Sequence, residues 1–173
     1  MTDRMRQRDT AMWKGLFAVW GIALAAQIAF LFLLPAGSIP WLRYAGWGVF
    51  GLSALLGWIP ILAFRLRGGV AKRRSYVHTT KLVTTGLYSI VRHPQYLAGD
   101  YIAVAVMCIT QHWAAFLAGG VAILTNRLSM IKADKDLIGK FGDAYRTYMK
   151  HVPRASIAIG LWRRVRKRFT HRG

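Results

Sequence analysis

Residues 12–34 read MWKGLFAVWGIALAAQIAFLFLL, and this run decides the fold class. Only Lys14 and Gln27 interrupt it with strongly polar side chains. A membrane-spanning helix needs about 20 predominantly apolar residues, so the run is long enough to cross a bilayer. It is too long for the apolar core of a signal peptide, and no clear small-residue cleavage site follows it. The sequence therefore predicts an all-α integral membrane protein.

Three further apolar stretches follow this run, at residues 41–64, 96–110 and 113–131. Together with residues 12–34 they predict a polytopic helix bundle of about four transmembrane helices in a single membrane domain. The stretch 96–110 is short for a span, so it could form a tilted hairpin with 113–131 or one that does not fully cross. Small residues in the second stretch favour close helix contacts: Gly46, Gly48, Gly51, Ser53 and Gly57.

The charge of the chain is separated from its apolar stretches. The 173 residues are 54% hydrophobic and yet carry a formal net charge of +19. Lys and Arg collect at the N-terminus, in residues 65–94 and from Lys132 onward. This distribution is typical of the cytoplasmic loops of membrane proteins, and it disfavours nucleic acid as the partner. Four crossings would place both the N- and the C-terminus in the cytoplasm, with the spans in an inner or plasma membrane.

The C-terminal part changes from apolar to amphipathic. Apolar residues recur at helical spacing over residues 131–152, and Gly139 and Gly142 predict a break in the helix near residue 141. The last segment, 161–173, alternates Lys and Arg with apolar side chains, among them Trp162, Val165 and Phe169. This pattern is typical of an interfacial helix that lies on anionic lipid head groups.

The cluster Arg92-His93-Pro94-Gln95-Tyr96 lies at a predicted membrane edge. Pro94 is favoured at the first position of a helix, so Arg92 and His93 would stand just before a helix that enters the membrane. A helix N-terminus favours an anionic group, and Arg92 adds a planar fork for a carboxylate. In the alternative interpretation, Arg92 binds a lipid phosphate and His93 is only a polar helix entry.

Two acidic residues are further candidates. Asp134 falls on the apolar stripe of its helix, where a carboxylate needs a partner because burying it alone costs several kcal/mol. Arg127 shares that face two turns earlier, so the two could be a structural pair, or Asp134 could hold a cationic group of a ligand. Asp100 lies one turn into the third apolar stretch, where an ionisable group is a functional candidate or pairs with a loop arginine. No metal-ligand spacing occurs, and the lone Cys108 excludes an intrachain disulfide.

Two motifs in this order resemble the isoprenylcysteine carboxyl methyltransferase and phospholipid methyltransferase superfamily. The first motif is Leu82-Val83-Thr84-Thr85-Gly86-Leu87-Tyr88, followed by Arg92-His93-Pro94-Gln95-Tyr96. The second contains Asp134, Leu137, Phe141-Gly142-Asp143-Ala144-Tyr145, Tyr148 and Val152-Pro153-Arg154. The resemblance covers residues 80–155. Leu87 stands where the family pattern has Pro, and Ala133-Asp134 stands where it has two Glu.

The resemblance implies a membrane methyltransferase whose segments 81–96 and 127–154 wrap S-adenosylmethionine on the cytosolic side. Asp134 would pair with the ammonium of the cofactor, and Arg92 would hold its carboxylate or orient the acceptor. The resemblance implies cofactor contacts at Leu82, Val83, Gly86, Tyr88, His93, Pro94, Tyr96, Leu97, Arg127, Asp134 and Tyr145. It implies catalytic roles for Arg92, Asp134 and Asp100. Methyl transfer is an in-line displacement on carbon and needs no metal.

The methyl acceptor stays open between an isoprenylcysteine-type carboxylate and a phospholipid amine. Either would be a membrane lipid or a prenylated small molecule that enters sideways from the bilayer. A carboxylate arrives ionised and needs only orientation, for which Arg92 suits. An amine must lose its proton and needs a base such as Asp134, Asp100 or His93.

Two other functions compete with methyl transfer. Membrane sterol reductases share an R-H-P-x-Y-L-G-D segment, which implies an NADPH-dependent reductase, although residues 96–100 are one residue longer here. The basic tail also suits a non-enzymatic protein that binds anionic lipid. The sequence leaves the oligomeric state unknown.

Overall fold

The computed structural model describes residues 3–68 and 80–170, with side chains described over 12–68 and 80–166. Within these residues the chain forms six α-helices and one short 3₁₀ turn, Gly86–Ser89, without a strand, so the all-α prediction is confirmed. The helices are α1 (Asp3–Leu33), α2 (Pro40–Arg67), α3 (Pro94–Thr110), α4 (Trp113–Phe141), α5 (Asp143–His151) and α6 (Ile157–Thr170). Lys72, Arg73 and Arg74 of the predicted basic loop, and the end of the basic tail, lie outside the described residues.

Three of the described helices are long and apolar enough to cross a membrane. They are Met12–Leu33 within α1, the whole of α2 and the whole of α4. Helix α3 has 17 residues, and at about 1.5 Å per residue it extends roughly 25 Å, less than the ~30 Å hydrocarbon core. The sequence predicted about four spans and a short third stretch. The structure has three candidate spans in its described part, and α3 is the one that falls short.

Helix α4 joins the predicted span 113–131 to the first part of the amphipathic segment. It continues without a break to Phe141. The predicted break near Gly142 is confirmed: this residue adopts φ 57° and ψ −132° between α4 and α5. A positive φ is readily adopted only by glycine, so the residue type fixes the place of the turn.

The chain forms two compact units, each assembled from two stretches of sequence. The first unit comprises Met1–Ala54 and Ala98–Lys132, and the second comprises Leu55–Leu97 and Ala133–Gly173. The unit boundaries fall inside α2, α3 and α4. These three helices therefore contribute residues to both units.

The first unit buries a polar side chain within its apolar helices. Gln27 of α1 is fully buried and donates a 2.8 Å hydrogen bond to the carbonyl of Ala115. Ala23, Ala103 and Ala122 pack together beside it. This hydrogen bond lowers the cost of burying the amide nitrogen, whereas Oε1 of Gln27 has no hydrogen-bond partner among the described residues.

The close contacts predicted for small residues of α2 form at two of the expected positions. At Gly46, a Cβ atom would come within 2.9 Å of the Ala105 carbonyl of α3. Ser53 donates a 2.8 Å hydrogen bond to a backbone carbonyl of α3. A Cβ atom at Gly48 or at Gly51 would have no neighbour within 4 Å. Gly46 and Ser53 therefore serve helix contact on the face of α2 that meets α3.

The core of the second unit is built on α5. Tyr145, Tyr148 and Val152 are buried together. Partly buried apolar side chains of the two motif segments pack around them: Leu82, Leu137, Ile138, Phe141 and Met149. This core attaches α5 to both motif segments, which lie far apart in the sequence.

Candidate functional site

The first motif folds as a tight turn that ends at a helix. Gly86 adopts φ 64°, which permits the chain to enter the 3₁₀ turn. Val91 is fully buried after this turn, and α3 begins at Pro94 as the sequence predicted. Arg92 and His93 are thereby held on the two residues that precede a helix.

The segment after α5 is hydrogen-bonded to this turn. The backbone N–H of Arg92 donates to the Pro153 carbonyl at 3.0 Å, and that of His93 donates to the Arg154 carbonyl at 3.1 Å. The Tyr148 hydroxyl donates to the Tyr88 carbonyl at 2.5 Å. These bonds join the two motifs into one backbone frame.

Four side chains converge on the carboxylate of Asp134. Its Oδ1 accepts hydrogen bonds from Nη1 of Arg92 at 2.9 Å and from the Tyr145 hydroxyl at 2.7 Å. The same oxygen lies 2.7 Å from Nε2 of His93. Nε of Arg154 donates to Oδ2 at 2.7 Å. Both motifs therefore supply the groups that surround one acid.

The cluster around Asp134 is buried and has excess positive charge. The side chains of Asp134 and Arg92 are 4% and 7% exposed, whereas that of Arg154 is 41% exposed. Two guanidinium groups face one carboxylate, so one positive charge has no counter-charge within the cluster. Nε of Arg92 is buried and, among the described residues, has no hydrogen-bond partner. A second anionic group would therefore be stabilised here.

The two tyrosines of α5 remain protonated donors. Burial raises the pKa of Tyr145, and the neighbouring Asp134 carboxylate raises it further. Burial also raises the pKa of Tyr148, against an opposing effect of the Arg92 charge. Both hydroxyls thus donate hydrogen bonds throughout the neutral pH range. The ring of Tyr96 lies edge-on to the ring of His93, with centroids 5.5 Å apart, so an aromatic side chain borders the cluster at His93.

Arg127 and Asp100 form a separate pair. Nη2 of Arg127 lies 2.6 Å from Oδ2 of Asp100, and Nδ2 of Asn126 donates to Oδ1 of Asp100 at 2.7 Å. All three residues belong to the first unit. The structural pair between Arg127 and Asp134 that helical spacing allowed does not form. Asp134 is paired instead with arginines that are distant in sequence, Arg92 and Arg154.

The remaining residues of the first motif form the support of the cluster. Val83, Pro94 and Leu97 are buried, and Leu82 packs against the α5 core. Sequence reasoning missed two contacts, those of Arg154 with Asp134 and of Tyr148 with Tyr88. Arg154 and Tyr148 both belong to the second motif, so the motif could have indicated these contacts. No group of three or more His, Cys, Asp or Glu among the described residues could hold a metal ion.

A comparison with protein families gives the affiliation of the chain. A family model described as phospholipid methyltransferase matches residues 42–141, which is more than half of the chain. Arg92, His93 and Asp134 lie within the match, and Tyr145 and Arg154 follow it. No curated protein and no solved structure matches the chain significantly. Because this match covers more than half of the chain and the helices are apolar, the chain belongs to the phospholipid methyltransferase family and is an integral membrane protein.

Proposed function

We propose that this protein transfers a methyl group from S-adenosylmethionine to a lipophilic acceptor in the membrane. Membership of the family makes it a membrane methyltransferase that acts on lipid. The observation that carries the assignment of the cofactor is the convergence of Arg92, His93, Tyr145 and Arg154 on Asp134. A cluster with one carboxylate and excess positive charge suits a ligand that bears both an ammonium and a carboxylate.

The residues present fit the polar end of the cofactor. The unpartnered Nε of Arg92 and the half-exposed guanidinium of Arg154 would hold its carboxylate. Asp134 would hold the ammonium through Oδ2, which accepts only from Arg154 in the described part of the chain. The faces of Tyr88, Tyr96 or Tyr145 would favour the sulfonium through cation–π attraction. When bound, S-adenosylmethionine supplies an electrophilic methyl group.

The protein would contribute mainly position and exclusion of water. Methyl transfer is an in-line displacement at carbon, so its rate depends on holding the two reacting atoms close and aligned. The hydrogen bonds that fix Arg92 and His93 to residues 153–154 supply rigidity at this place. Burial of the Asp134 cluster keeps its charges unscreened by water, so each contact there orients the ligand strongly.

The acceptor determines whether a base is needed. A phospholipid amine must lose a proton before it attacks, and Asp134, Asp100 or His93 would serve as the base in that case. An isoprenylcysteine carboxylate would need only orientation, which Arg92 could provide. Substituting each candidate base in turn separates the two cases, because loss of a required base would slow transfer to an amine and leave transfer to a carboxylate unchanged.

The charge distribution supports an orientation for the protein in the membrane. The basic segments at the N-terminus, in residues 65–94 and from Lys132 onward would lie in the cytoplasm, together with both termini. The membrane would be an inner or plasma membrane, and the cofactor would enter from the cytosol. Cysteine accessibility at Ser38, between α1 and α2, and at Gln111, between α3 and α4, would test this orientation in intact cells.

Isothermal calorimetry of the purified protein tests the proposed cofactor. S-adenosylmethionine should bind to the wild type, and Asp134→Ala should abolish binding. Asp143→Ala is the matched control, because the Asp143 side chain is 99% exposed and only pairs with Arg146 on the surface. Absence of binding to the wild type at millimolar cofactor would contradict the proposal.

Incubation with methyl-labelled S-adenosylmethionine, followed by mass spectrometry of the extracted lipids, then identifies the acceptor. Label should appear in a phospholipid amine or in a prenylated carboxylate. Turnover that requires NADPH and not S-adenosylmethionine would favour a reductase. No turnover with either cofactor, combined with lipid binding, would favour a non-enzymatic role.

A further inference from the structure

Helix α6 leaves its apolar side chains outside the core of the second unit. Leu161, Trp162 and Val165 are 46%, 60% and 51% exposed. Arg163 and Arg166 are exposed as well, and no acidic residue follows Asp143 in the sequence. The helix therefore presents an apolar stripe and exposed basic side chains.

One narrow face of α6 is seated on the first motif. Gly160 is buried, and a Cβ atom at this position would collide with the backbone carbonyl of Ile90. Arg164 donates a 2.9 Å hydrogen bond to Oγ of Ser89. Oγ of Ser89 in turn donates to the Gly86 carbonyl at 2.6 Å. Helix α6 thus contacts the turn that immediately precedes Arg92 and His93.

The spacing of α6 separates these contacts from the exposed apolar stripe. Gly160 and Arg164 are one helical turn apart and share the face that meets the turn. Leu161 and Val165 are also one turn apart, on the neighbouring face, with Trp162 beside them. Arg163 and Arg166 lie on the other side of Trp162, and the Arg166 guanidinium stacks 5.6 Å from the Trp162 ring centroid. The face of α6 with Gly160 and Arg164 therefore meets the turn. The apolar stripe and the basic side chains lie on other faces of the helix.

We propose that α6 binds the anionic lipid surface of the membrane, and that this binding stabilises the turn at residues 86–93. We assign an anionic bilayer as the occupant, because the apolar stripe, Trp162 and the basic side chains beside it together match the surface of such a bilayer. A bilayer that holds α6 also holds Gly160 against Ile90, and the turn is thereby kept in the form that points Arg92 at Asp134. The consequence for cofactor affinity rests on the proposed function, whereas lipid binding and the stabilised turn do not.

Hydrogen–deuterium exchange of the full chain in nanodiscs tests this proposal. One nanodisc contains only phosphatidylcholine, and the other contains phosphatidylcholine with phosphatidylglycerol. In the wild type, anionic lipid should slow exchange in α6 and in residues 86–93. The double variant Arg163→Gln/Arg166→Gln should lose the response, because each basic side chain near an anionic surface strengthens association about fivefold.

The matched control is Lys135→Gln/Lys150→Gln, which removes the same charge from two exposed positions on α4 and α5. It should keep the response of the wild type. A second variant, Gly160→Ala, separates binding from its effect on the turn. It should keep the protection of α6 by anionic lipid and lose the protection of residues 86–93, because the added methyl group cannot fit against Ile90.

Several outcomes would overturn the proposal. These are equal exchange of α6 in the two nanodiscs, a response that survives in Arg163→Gln/Arg166→Gln, or protection in detergent that rises with protein concentration. The last result would assign the apolar stripe to a second copy of the chain. Cofactor affinity, measured separately, should rise in anionic nanodiscs for the wild type and for Lys135→Gln/Lys150→Gln, and should not rise for Arg163→Gln/Arg166→Gln or Gly160→Ala. No cofactor binding in any lipid would contradict the proposed function, and the exchange data would still decide the role of α6.

Discussion

The Tyr145 hydroxyl donates a 2.7 Å hydrogen bond to Oδ1 of Asp134, although the two residues lie on different helices. The turn at Gly142 between α4 and α5 permits this contact over eleven residues of sequence. Tyr145 is buried at 1% exposure, so its hydroxyl has no water to bind instead. The bond therefore fixes the carboxylate before any ligand arrives.

Replacing Asp134 with Asn should destabilise the protein strongly. The amide cannot neutralise Arg92 and Arg154, and breaking a buried pair by removing one partner costs about 3 kcal/mol or more. The partial exposure of Arg154 lowers this cost. Thermal unfolding in detergent micelles measures it, with Asp143→Asn as the exposed control. Equal unfolding temperatures of the two variants would show that the cluster is not a structural ion pair.

Replacing Tyr145 with Phe should cost more than replacing Tyr148 with Phe. The first change removes a hydrogen bond to a charged acceptor, worth about 1.5–3 kcal/mol, and the second removes one to a neutral carbonyl, worth about 0.5–1.5 kcal/mol. Both tyrosines lie on α5 and are buried, so each variant controls for the other. Cofactor affinity should fall in Tyr145→Phe, which acts on Asp134 directly. A greater loss of stability in Tyr148→Phe than in Tyr145→Phe would contradict the hydrogen-bond acceptors assigned to the two hydroxyls.

Tyr145 and Tyr148 should resist ionisation when the pH is raised. Burial raises the pKa of both above the usual value of about 10, so the folded state keeps protons that the unfolded state releases. Their contribution to stability is complete below that pH and is lost as the pH rises above it. In an ultraviolet titration of the seven tyrosines, Tyr145 and Tyr148 should be among those that ionise only as the protein unfolds. In the double Phe variant the amplitude of this late phase should be smaller by two tyrosines.

Two glycines near the end of α4 should respond to alanine in opposite ways. Gly142→Ala places a side chain at φ 57°, and such strained backbone costs on the order of 1–3 kcal/mol. Gly139→Ala lies inside α4 with nothing within 4 Å of the new Cβ. Alanine there should stabilise the helix by about 0.5–1 kcal/mol. Thermal unfolding compares the two, and destabilisation by both would show that Gly139 has a contact that the helix requires.

Much of the fold followed from local properties of the sequence. The length of the apolar runs predicted membrane helices, Pro94 predicted the start of α3, and Gly142 predicted the break before α5. Each of these depends on a few neighbouring residues and on backbone conformations that other residue types do not adopt easily. Gly142 thereby also predicted the end of α4 at Phe141.

The partners of the charged residues could not be derived from local pattern. Helical spacing correctly put Asp134 on a buried face, and it also made Arg127 a candidate partner on the same helix. Which arginine reaches the carboxylate depends on how segments distant in sequence are bonded to each other. The backbone bonds from residues 92–93 to residues 153–154 bring Arg92 and Arg154 to Asp134, and Arg127 pairs with Asp100 instead.

The sequence alone thus determined an all-α membrane protein with two motifs that resemble one enzyme family. Composition and periodicity suffice for the membrane helices because burial in a bilayer acts on each apolar stretch separately, whereas the resemblance rests on the residues of the two motifs. Only the tertiary structure decided that both motifs surround a single carboxylate, and that α6 is seated through Gly160 on the turn before Arg92. Contacts of this kind depend on the packing of segments far apart in the chain, which no local pattern encodes.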